Sequence, residues 1–267
     1  MTAHGHSKVL VPLVMAALGA GVLALPIDLP RAQTCPLPRQ HVGLTFPMER
    51  IDAEWACRLE PIIGDYTTAN KIGPVRTAMP EPIYRYLLDR PPLAAALINR
   101  LDLGLYKSEA KGPRRWWGSD GEGTEGLVQL LYQDPVSRVY FLEGTHHSRF
   151  LPNVSGKAVV LLRMNAVADG QGFGAVETTL VSYTKVDNRL LSGLLSMMRP
   201  LIGSTMTRKL MKGLDVVNRL GVEMRQHPDR VLFEAMDPPA FAPEDVAYLQ
   251  AALLGTVGSP QKGGQAR

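Results

Sequence analysis

The sequence lacks most of the features by which enzymes are recognised. It has two cysteines in 267 residues, and it contains neither a Gly-x-Ser-x-Gly nucleophile elbow nor a His-Glu-x-x-His helix. The glycine-rich stretch 170–174 lies between two predicted strands, which favours a flexible hairpin over a dinucleotide-binding loop. The usual starting points for a hydrolase, a metalloprotease or a dinucleotide-dependent enzyme are therefore missing.

Long runs of one charge are absent as well. The formal net charge is +4, from 29 Lys and Arg against 25 Asp and Glu, and the basic residues are scattered along the chain. We therefore expect that the protein binds no nucleic acid. Association with an anionic membrane surface is kept as an alternative. A content of 45% hydrophobic and 20% charged residues is typical of an ordinary globular domain.

The longest apolar run lies at the N-terminus. It extends from Val9 to Leu25, follows Lys8 and ends at Pro26. At about 17 residues it is short for a helix that spans a bilayer. We predict that residues 1–32 are a secretory signal peptide, with an uncleaved membrane anchor as the alternative. The predicted location is accordingly outside the cytosol, in the periplasm or the extracellular space.

The two cysteines, Cys35 and Cys57, follow this segment closely. In an exported protein they predict a disulfide, which would contribute on the order of 3 kcal/mol to stability. Residues 33–70 are thus interpreted as an N-terminal extension. Within it, Pro47 to Gly64 carries apolar residues at helical spacing, with Trp55 as the anchor, and we expect this helix to cover one end of the core.

From Lys71 onward the order of predicted elements becomes informative. A first strand from Gly73 to Met79 is followed by two short helices, Glu81–Asp89 and Pro92–Leu101, the second beginning at a proline. Residues typical of strands then alternate with turn residues such as Asp-Gly and Asp-Pro, which predicts consecutive antiparallel hairpins. The six further strands are predicted at Leu105–Ala110, Arg114–Ser119, Thr124–Gln133, Ser137–Thr145, Val154–Ala168 and Ala175–Asp187.

A long amphipathic helix is predicted between Asp187 and Arg225. Pro200 predicts an interruption, with a short helix from 188 to 199 and a longer one after it. Glycines within a helix cost up to about 1 kcal/mol relative to alanine, so the sheet or a ligand should approach the helix where they lie. The apolar stripe consists of Ile202, Met206, Leu210, Leu214 and Val217, and the glycines are Gly203, Gly213 and Gly221.

The last segment, 236–267, is predicted to contain one short helix from Pro243 to Gly255. Its docking face would consist of Val246, Leu249 and Leu253. The residues from Gly258 onward show no apolar period, which predicts a disordered tail.

The order strand, two helices, six strands and long helix, together with the segment Val75–Tyr84, resembles the START-like helix-grip superfamily, which includes the birch-pollen allergen proteins and polyketide cyclases. The resemblance covers roughly Lys71 to Asp229. It implies an α+β fold over 71–235, in which a curved antiparallel sheet of about seven strands wraps around the last helix. It also implies a cavity between sheet and helix that in the family commonly receives lipids, sterols or other apolar molecules.

Such a cavity would be lined by apolar and methionine side chains with a few hydroxyls that orient the ligand. We therefore predict a protein without catalytic residues, metal or cofactor that binds a lipid or another apolar small molecule. The candidate ligand-binding residues are Tyr84, Trp116, Val128, Leu130, Tyr132, Tyr140, Tyr183, Met206, Leu210 and Leu214.

Two alternative functions remain open. One is a cyclase- or hydrolase-like enzyme in which His146, Glu143 or a tyrosine of the cavity acts as acid or base. His146 and His147 with Glu143 also suggest zinc, but neighbouring residues of a strand point to opposite faces, so we expect no metal site. The other alternative is a membrane-tethered interaction module with a filled core and no ligand.

Overall fold

The computed structural model describes residues 35–147, 153–168, 173–187 and 195–257. In its N-terminal part, a two-stranded ribbon is followed by a 3-10 turn at Met48–Arg50 and then by a helix. The ribbon strands are β1 (Gln40–His41) and β2 (Leu44–Thr45), and the helix is α1 (Ala53–Gly64). The predicted disulfide between Cys35 and Cys57 is confirmed, and it ties the start of this region to α1.

A seven-stranded antiparallel sheet follows, with two short helices after its first strand, so the predicted α+β fold class is confirmed. The strands lie in the order β3-β9-β8-β7-β6-β5-β4, so that the first strand pairs with the last. The elements are β3 (Thr68–Thr77), α2 (Glu81–Asp89), α3 (Pro91–Arg100), β4 (Lys107–Ala110), β5 (Arg115–Ser119), β6 (Thr124–Gln133), β7 (Ser137–His146), β8 (Val154–Val167) and β9 (Ala175–Val186).

Aspartate side chains close two of the predicted hairpins. The Asp134 carboxylate accepts hydrogen bonds from the backbone N–H groups of Val136 and Ser137, at 2.8 and 2.6 Å. Asp120 does the same for Glu122 and Thr124, at 2.8 and 2.9 Å. Asp favours turns because its side chain can bond to the backbone in this way. The turns therefore determine which residues of neighbouring strands face each other.

Three helices complete the described chain: α4 (Leu195–Gln226), α5 (Pro228–Met236) and α6 (Pro243–Val257). The predicted separation into two helices at Pro200 is wrong, because α4 continues through that residue. Pro200 is the sixth residue of α4, and the helix continues although the missing N–H removes one helical hydrogen bond there. Residues 188–194 of the predicted first helix lie outside the described residues, as do the predicted leader 1–32 and the tail from 258.

Both faces of the sheet are covered. The face toward α4 carries the larger core, in which Leu162, Val176 and Leu180 pack with Leu220 and Met224. The opposite face, called here the outer face, packs against the N-terminal part of the chain. That second core consists of Phe46, Met48, Ile51, Leu59, Ile62, Ile63, Val139, Phe141, Val159, Leu161, Val181 and Tyr183. The described residues from Cys35 onward accordingly form one compact unit.

The sheet curls around the N-terminal half of α4. Thr207 donates a hydrogen bond of 2.8 Å to Asn70 in β3, and Lys209 binds Asp120, at the turn between β5 and β6, at 2.5 Å. In a flat sheet β3 and β6 would be four strand spacings apart, roughly 19 Å, which is wider than a helix with its side chains. Thr207 and Lys209 are only two residues apart in α4, and they reach both places because the sheet is curved.

The C-terminal half of α4 is anchored differently. Val216, Leu220 and Met224 are almost fully buried in the core. A Cβ atom on Gly221 would lie 2.6 Å from the carbonyl oxygen of Ala78, so the expected close approach holds there. It does not hold at Gly213, where a Cβ would meet nothing within 4 Å. None of the described helices is both long and apolar enough to cross a bilayer.

Candidate functional site

Four glycines form a row across the sheet. Gly118 of β5 faces Gly126 of β6, which faces Gly144 of β7, which in turn faces Gly156 of β8. Side chains alternate along strands, and these positions are in phase with Tyr140, which packs into the core on the helix side. The glycine row therefore lies on the face toward α4, and along it this face carries no side chains.

The row also marks a close approach of neighbouring strands. A Cβ atom on Gly126 would collide with the carbonyl oxygen of Glu143 and would lie 2.6 Å from the Cα of Gly144. A Cβ on Gly144 would lie 2.5 Å from the carbonyl oxygen of Glu125. Glycine within strands is typical of sharp bends and of places where another backbone or a ligand comes close. The curl of the sheet toward α4 thus requires glycine here.

The space between sheet and helix is filled unevenly. Leu162, Met164 and Val176 are buried at the end of the sheet that lies under the C-terminal half of α4. At the other end the apolar residues of this space are only half-buried, although they lie between the sheet and α4. We call this region the open end and define it by Val128, Leu142, Ala158, Met206 and Leu210.

Polar side chains line the open end where α4 meets β3 and β9. Thr68 pairs in register with Thr184, and Asn70 pairs with Ser182, all on the helix side. Their atoms Thr68 Oγ1, Asn70 Nδ2, Ser182 Oγ and Thr184 Oγ1 are buried and have no hydrogen-bond partner within the described part of the chain. Each such atom costs about 1–3 kcal/mol. These four atoms lie on the strands that α4 crosses, next to the hydrogen bond between Thr207 and Asn70.

A polar cleft of about 430 Å³ opens beside this region. It lies between the first half of α4, the β5–β6 turn and the end of β7. Among the residues that the structure describes, its lining consists of Glu122, His146, Thr205, Arg208, Lys209 and Lys212. Three of these six side chains are cationic and one is a carboxylate, so the cleft is predominantly positive.

Ion pairs connect α4 to the β5–β6 turn across the cleft. Glu122 binds Lys212 and lies 3.7 Å from Lys209, which also binds Asp120. Burial alone would raise the pKa of Asp120, but the hydrogen bond from Lys209 and those from backbone N–H groups outweigh it and lower the pKa. The hydrogen bond from Lys212 lowers the pKa of Glu122. Both carboxylates are therefore charged at neutral pH, whereas Arg208 has no ion-pair partner in the described ranges.

His146 is the titratable group at the end of β7. Its Nδ1 lies 3.0 Å from the hydroxyl of Thr124, and burial, followed by the charge of Lys209, lowers its pKa. The ring is therefore neutral at neutral pH. Glu143 lies on the outer face, 3.8 Å from Lys157, so the structure does not bring it together with His146.

His147 points away from His146, with its Nε2 3.7 Å from Glu125. No group of three His, Cys, Asp or Glu side chains that could hold a metal ion occurs within 35–147, 153–168, 173–187 and 195–257.

The predicted ligand-binding residues fall into three groups. Val128, Met206 and Leu210 lie at the open end, half-buried. A second group is packed on the side of the sheet that faces α4. The hydroxyl of Tyr84 in this group forms a hydrogen bond of 3.0 Å with the hydroxyl of Thr178. The members of this group are Tyr84, Trp116, Leu130, Tyr140 and Leu214.

The third group lies on the outer face and is separated from the other two by the sheet. Tyr183 is part of the outer core, and its hydroxyl lies 3.1 Å from Nδ1 of the buried His41. Tyr132 packs against the same core and donates to Asp134 at 2.9 Å. Neither tyrosine faces the space between sheet and α4, because the N-terminal extension provides a second core that also needs aromatic side chains.

The glycine row and the cationic cleft are features that the sequence reading did not identify. The row was not accessible from the hairpin turn, because the register shifts by one residue between Leu130 and Tyr132. Continued regularly from the Gln133–Arg138 pair, the pairing would place Gly126 opposite Thr145 and not opposite Gly144. The cleft was not accessible either, because its charges come from segments about 90 residues apart.

Comparison with known proteins provides no family for the chain. No protein-family model matches it, and no curated protein matches it. A solved structure described as a conserved protein from Geobacillus kaustophilus is similar over 58% of this chain and 94% of its own, with 8% sequence identity and a TM-score of 0.41. A likeness at that level carries no argument about fold or function.

Proposed function

We propose that this chain is an exported, START-like protein that binds a lipid or another amphipathic small molecule between the sheet and the N-terminal half of α4. The proposal makes it a binding protein and not an enzyme. The strand order and the long helix that follows β9 support the family assignment. The Cys35–Cys57 disulfide is consistent with an exported protein, since disulfides persist mainly outside the cytosol.

The observation that carries the proposal is the contrast between the two ends of the space under α4. One end is close-packed, whereas Leu142, Met206 and Leu210 at the open end keep part of their apolar surface exposed. Covering apolar surface is favourable by about 25 cal/mol per Å². Beside these side chains the glycine row leaves the sheet face without side chains of its own. An aliphatic ligand would therefore find apolar walls and a floor without protruding side chains.

The structure offers a variant that would fill this space. Ala158 lies in β8 on the helix side, next in phase to Gly156, and is half-buried at the open end. Ala158→Phe would place a ring where the ligand is expected. Ala166→Phe is the matched control, since Ala166 lies in the same strand, is exposed, and is far from the open end.

The probe for the experiment is 1-dodecanol, a neutral amphiphile with a single aliphatic chain. Its binding to the purified protein would be measured by native mass spectrometry and by titration of tryptophan fluorescence. We expect wild type and Ala166→Phe to bind it and Ala158→Phe to lose binding while its circular dichroism stays unchanged. Equal binding by Ala158→Phe and wild type, or no binding by wild type, would contradict the proposed function.

A further inference from the structure

We infer that the ligand of the open end carries an anionic head group, which Arg208, Lys209 and Lys212 bind at the cleft. This inference rests on the proposed function, because it assigns a chemical class to the same ligand. The aliphatic part would lie at the open end, and the anion would lie where the first half of α4 meets the β5–β6 turn.

The charges of the cleft are not balanced within the described part of the protein. Arg208, Lys209 and Lys212 face only two carboxylates, Asp120 and Glu122, and both of these bind lysines. One positive charge therefore remains without a counter-charge, and Arg208 is the side chain that lacks a partner. A planar guanidinium suits a carboxylate or a phosphate oxygen, to which it can donate two parallel hydrogen bonds.

The arrangement is also unfavourable for the helix itself. Arg208 and Lys212 are four residues apart and lie on the same side of α4, and like charges at this spacing repel each other. Glu122 offsets the charge of Lys212, so an anion beside Arg208 would offset the charge that remains. No core contact accounts for the position of these side chains, since Arg208 and Lys212 are both exposed at the cleft.

His146 adds an uncharged donor to the same cleft. When the Thr124 hydroxyl donates to Nδ1, the ring carries its proton on Nε2, which has no hydrogen-bond partner among residues that the structure describes. A neutral imidazole with a free N–H donates to an anion without adding further positive charge. His146 also lies two residues after Gly144, so the head-group site adjoins the glycine row.

The open end and the cleft share one segment of α4. Met206 and Leu210 provide apolar surface, and Thr205, Arg208, Lys209 and Lys212 line the cleft within the same two helical turns. The side of α4 that carries Met206 and the side that lines the cleft meet at Lys209, three residues after Met206, so a molecule with its chain at the open end would enter the cleft past Lys209. The geometry favours an anionic single-chain amphiphile over a fully apolar molecule and over a cationic one.

The test compares three probes that differ only in the head group: dodecanoate, 1-dodecanol and dodecylammonium. Each is titrated into wild type, Arg208→Gln and Arg219→Gln. Arg219 is the matched control, because it is an exposed arginine on α4. Within the described part of the chain it does not line the cleft, and its one hydrogen bond is long, at 3.4 Å to the carbonyl of Leu103. Sodium acetate serves as the anion without an aliphatic chain.

We expect dodecanoate to bind more tightly than 1-dodecanol, and dodecylammonium to bind more weakly than both. Arg208→Gln should weaken dodecanoate binding by about three- to fivefold, as expected for an exposed ion pair, and leave 1-dodecanol binding unchanged. Arg219→Gln should change neither. The preference for dodecanoate should shrink at high salt, because salt screens exposed charges. Acetate at equal concentration should not displace dodecanoate, because it lacks the chain.

Several outcomes would overturn the inference. If 1-dodecanol binds as well as dodecanoate, the anionic head group is wrong while the proposed function stands. If Arg208→Gln and Arg219→Gln weaken dodecanoate equally, the effect comes from the general charge of the chain and not from this cleft. If acetate displaces dodecanoate, the cleft is a site for small anions and not for a head group. If none of the three amphiphiles binds, the proposed function and the inference both fail.

Discussion

Substitution of Gly126 by alanine tests the role that we assign to the glycine row. A Cβ atom at this position would collide with the Glu143 carbonyl oxygen and would lie 2.6 Å from the Gly144 Cα. Two carbon atoms in favourable contact are about 3.5–4.0 Å apart, so β6 and β7 would have to separate by roughly 1 Å. β6 is paired on both sides, to β5 and β7, which leaves little freedom for such a shift.

The expected size of the effect follows from two opposing terms. Overpacking in a well-packed region costs about 1–3 kcal/mol. Replacing glycine by alanine gains about 0.4–1 kcal/mol, because the unfolded chain loses conformational freedom. We therefore expect Gly126→Ala to lower the free energy of unfolding by about 1–2 kcal/mol.

Gly118→Ala provides the control from the same row. The nearest atom to its Cβ would be the Lys107 carbonyl oxygen at 3.6 Å, an ordinary contact. The free energy of unfolding of this variant should equal that of wild type or exceed it by roughly a few tenths of a kcal/mol. Urea unfolding of the three proteins, followed by circular dichroism, measures the difference if the slopes agree. If Gly126→Ala proves as stable as Gly118→Ala, the strands do not meet as closely as described and the glycine row is not required for the bend.

Three further predictions concern stability. Cys57→Ser should lower the free energy of unfolding by on the order of 3 kcal/mol, and reductant should reproduce this loss in wild type but leave the variant unchanged in a thermal melt. Gly213→Ala should stabilise the protein by up to about 1 kcal/mol, whereas Gly221→Ala should destabilise it because its Cβ would meet the Ala78 carbonyl; opposite results in urea unfolding would refute the packing assigned to α4. Burial lowers the pKa of His41 below 6.5, so the unfolded chain binds the proton more readily and stability should fall as the pH falls below about 6.5. Urea midpoints measured between about pH 7 and 5 test this effect. If the midpoint of His41→Gln depends on pH as strongly as that of wild type, His41 is not its cause.

Much of the architecture followed from local information. The alternation of strand residues and the Asp-containing turns predicted the six later strands, and the structure places their ends within about two residues of the prediction. The helix Glu81–Asp89 was predicted with its observed bounds. The pairing of Cys35 with Cys57 followed from the count of cysteines. The strand and helix bounds depend on residues that are close together in the sequence. The disulfide is the single pairing that two cysteines allow.

Other features depended on how many faces of the sheet are covered. Tyr132 and Tyr183 were named as candidates for the ligand site, but they belong to the outer core against the N-terminal extension. An aromatic residue in a strand indicates that its position is buried, but it does not indicate on which face of the sheet. Pro200 was predicted to separate a short helix from a longer one, but α4 continues through it.

The sequence by itself determined the kinds of elements, their order and the disulfide, because periodicity, turn chemistry and composition act over a few residues. Only the tertiary structure decided which glycines face each other, which end of the helix is close-packed, and that Arg208 and Lys209 of α4 meet Asp120 and Glu122 of a distant turn. The physical reason is that register, curvature and electrostatic balance are properties of residues brought together from far along the chain.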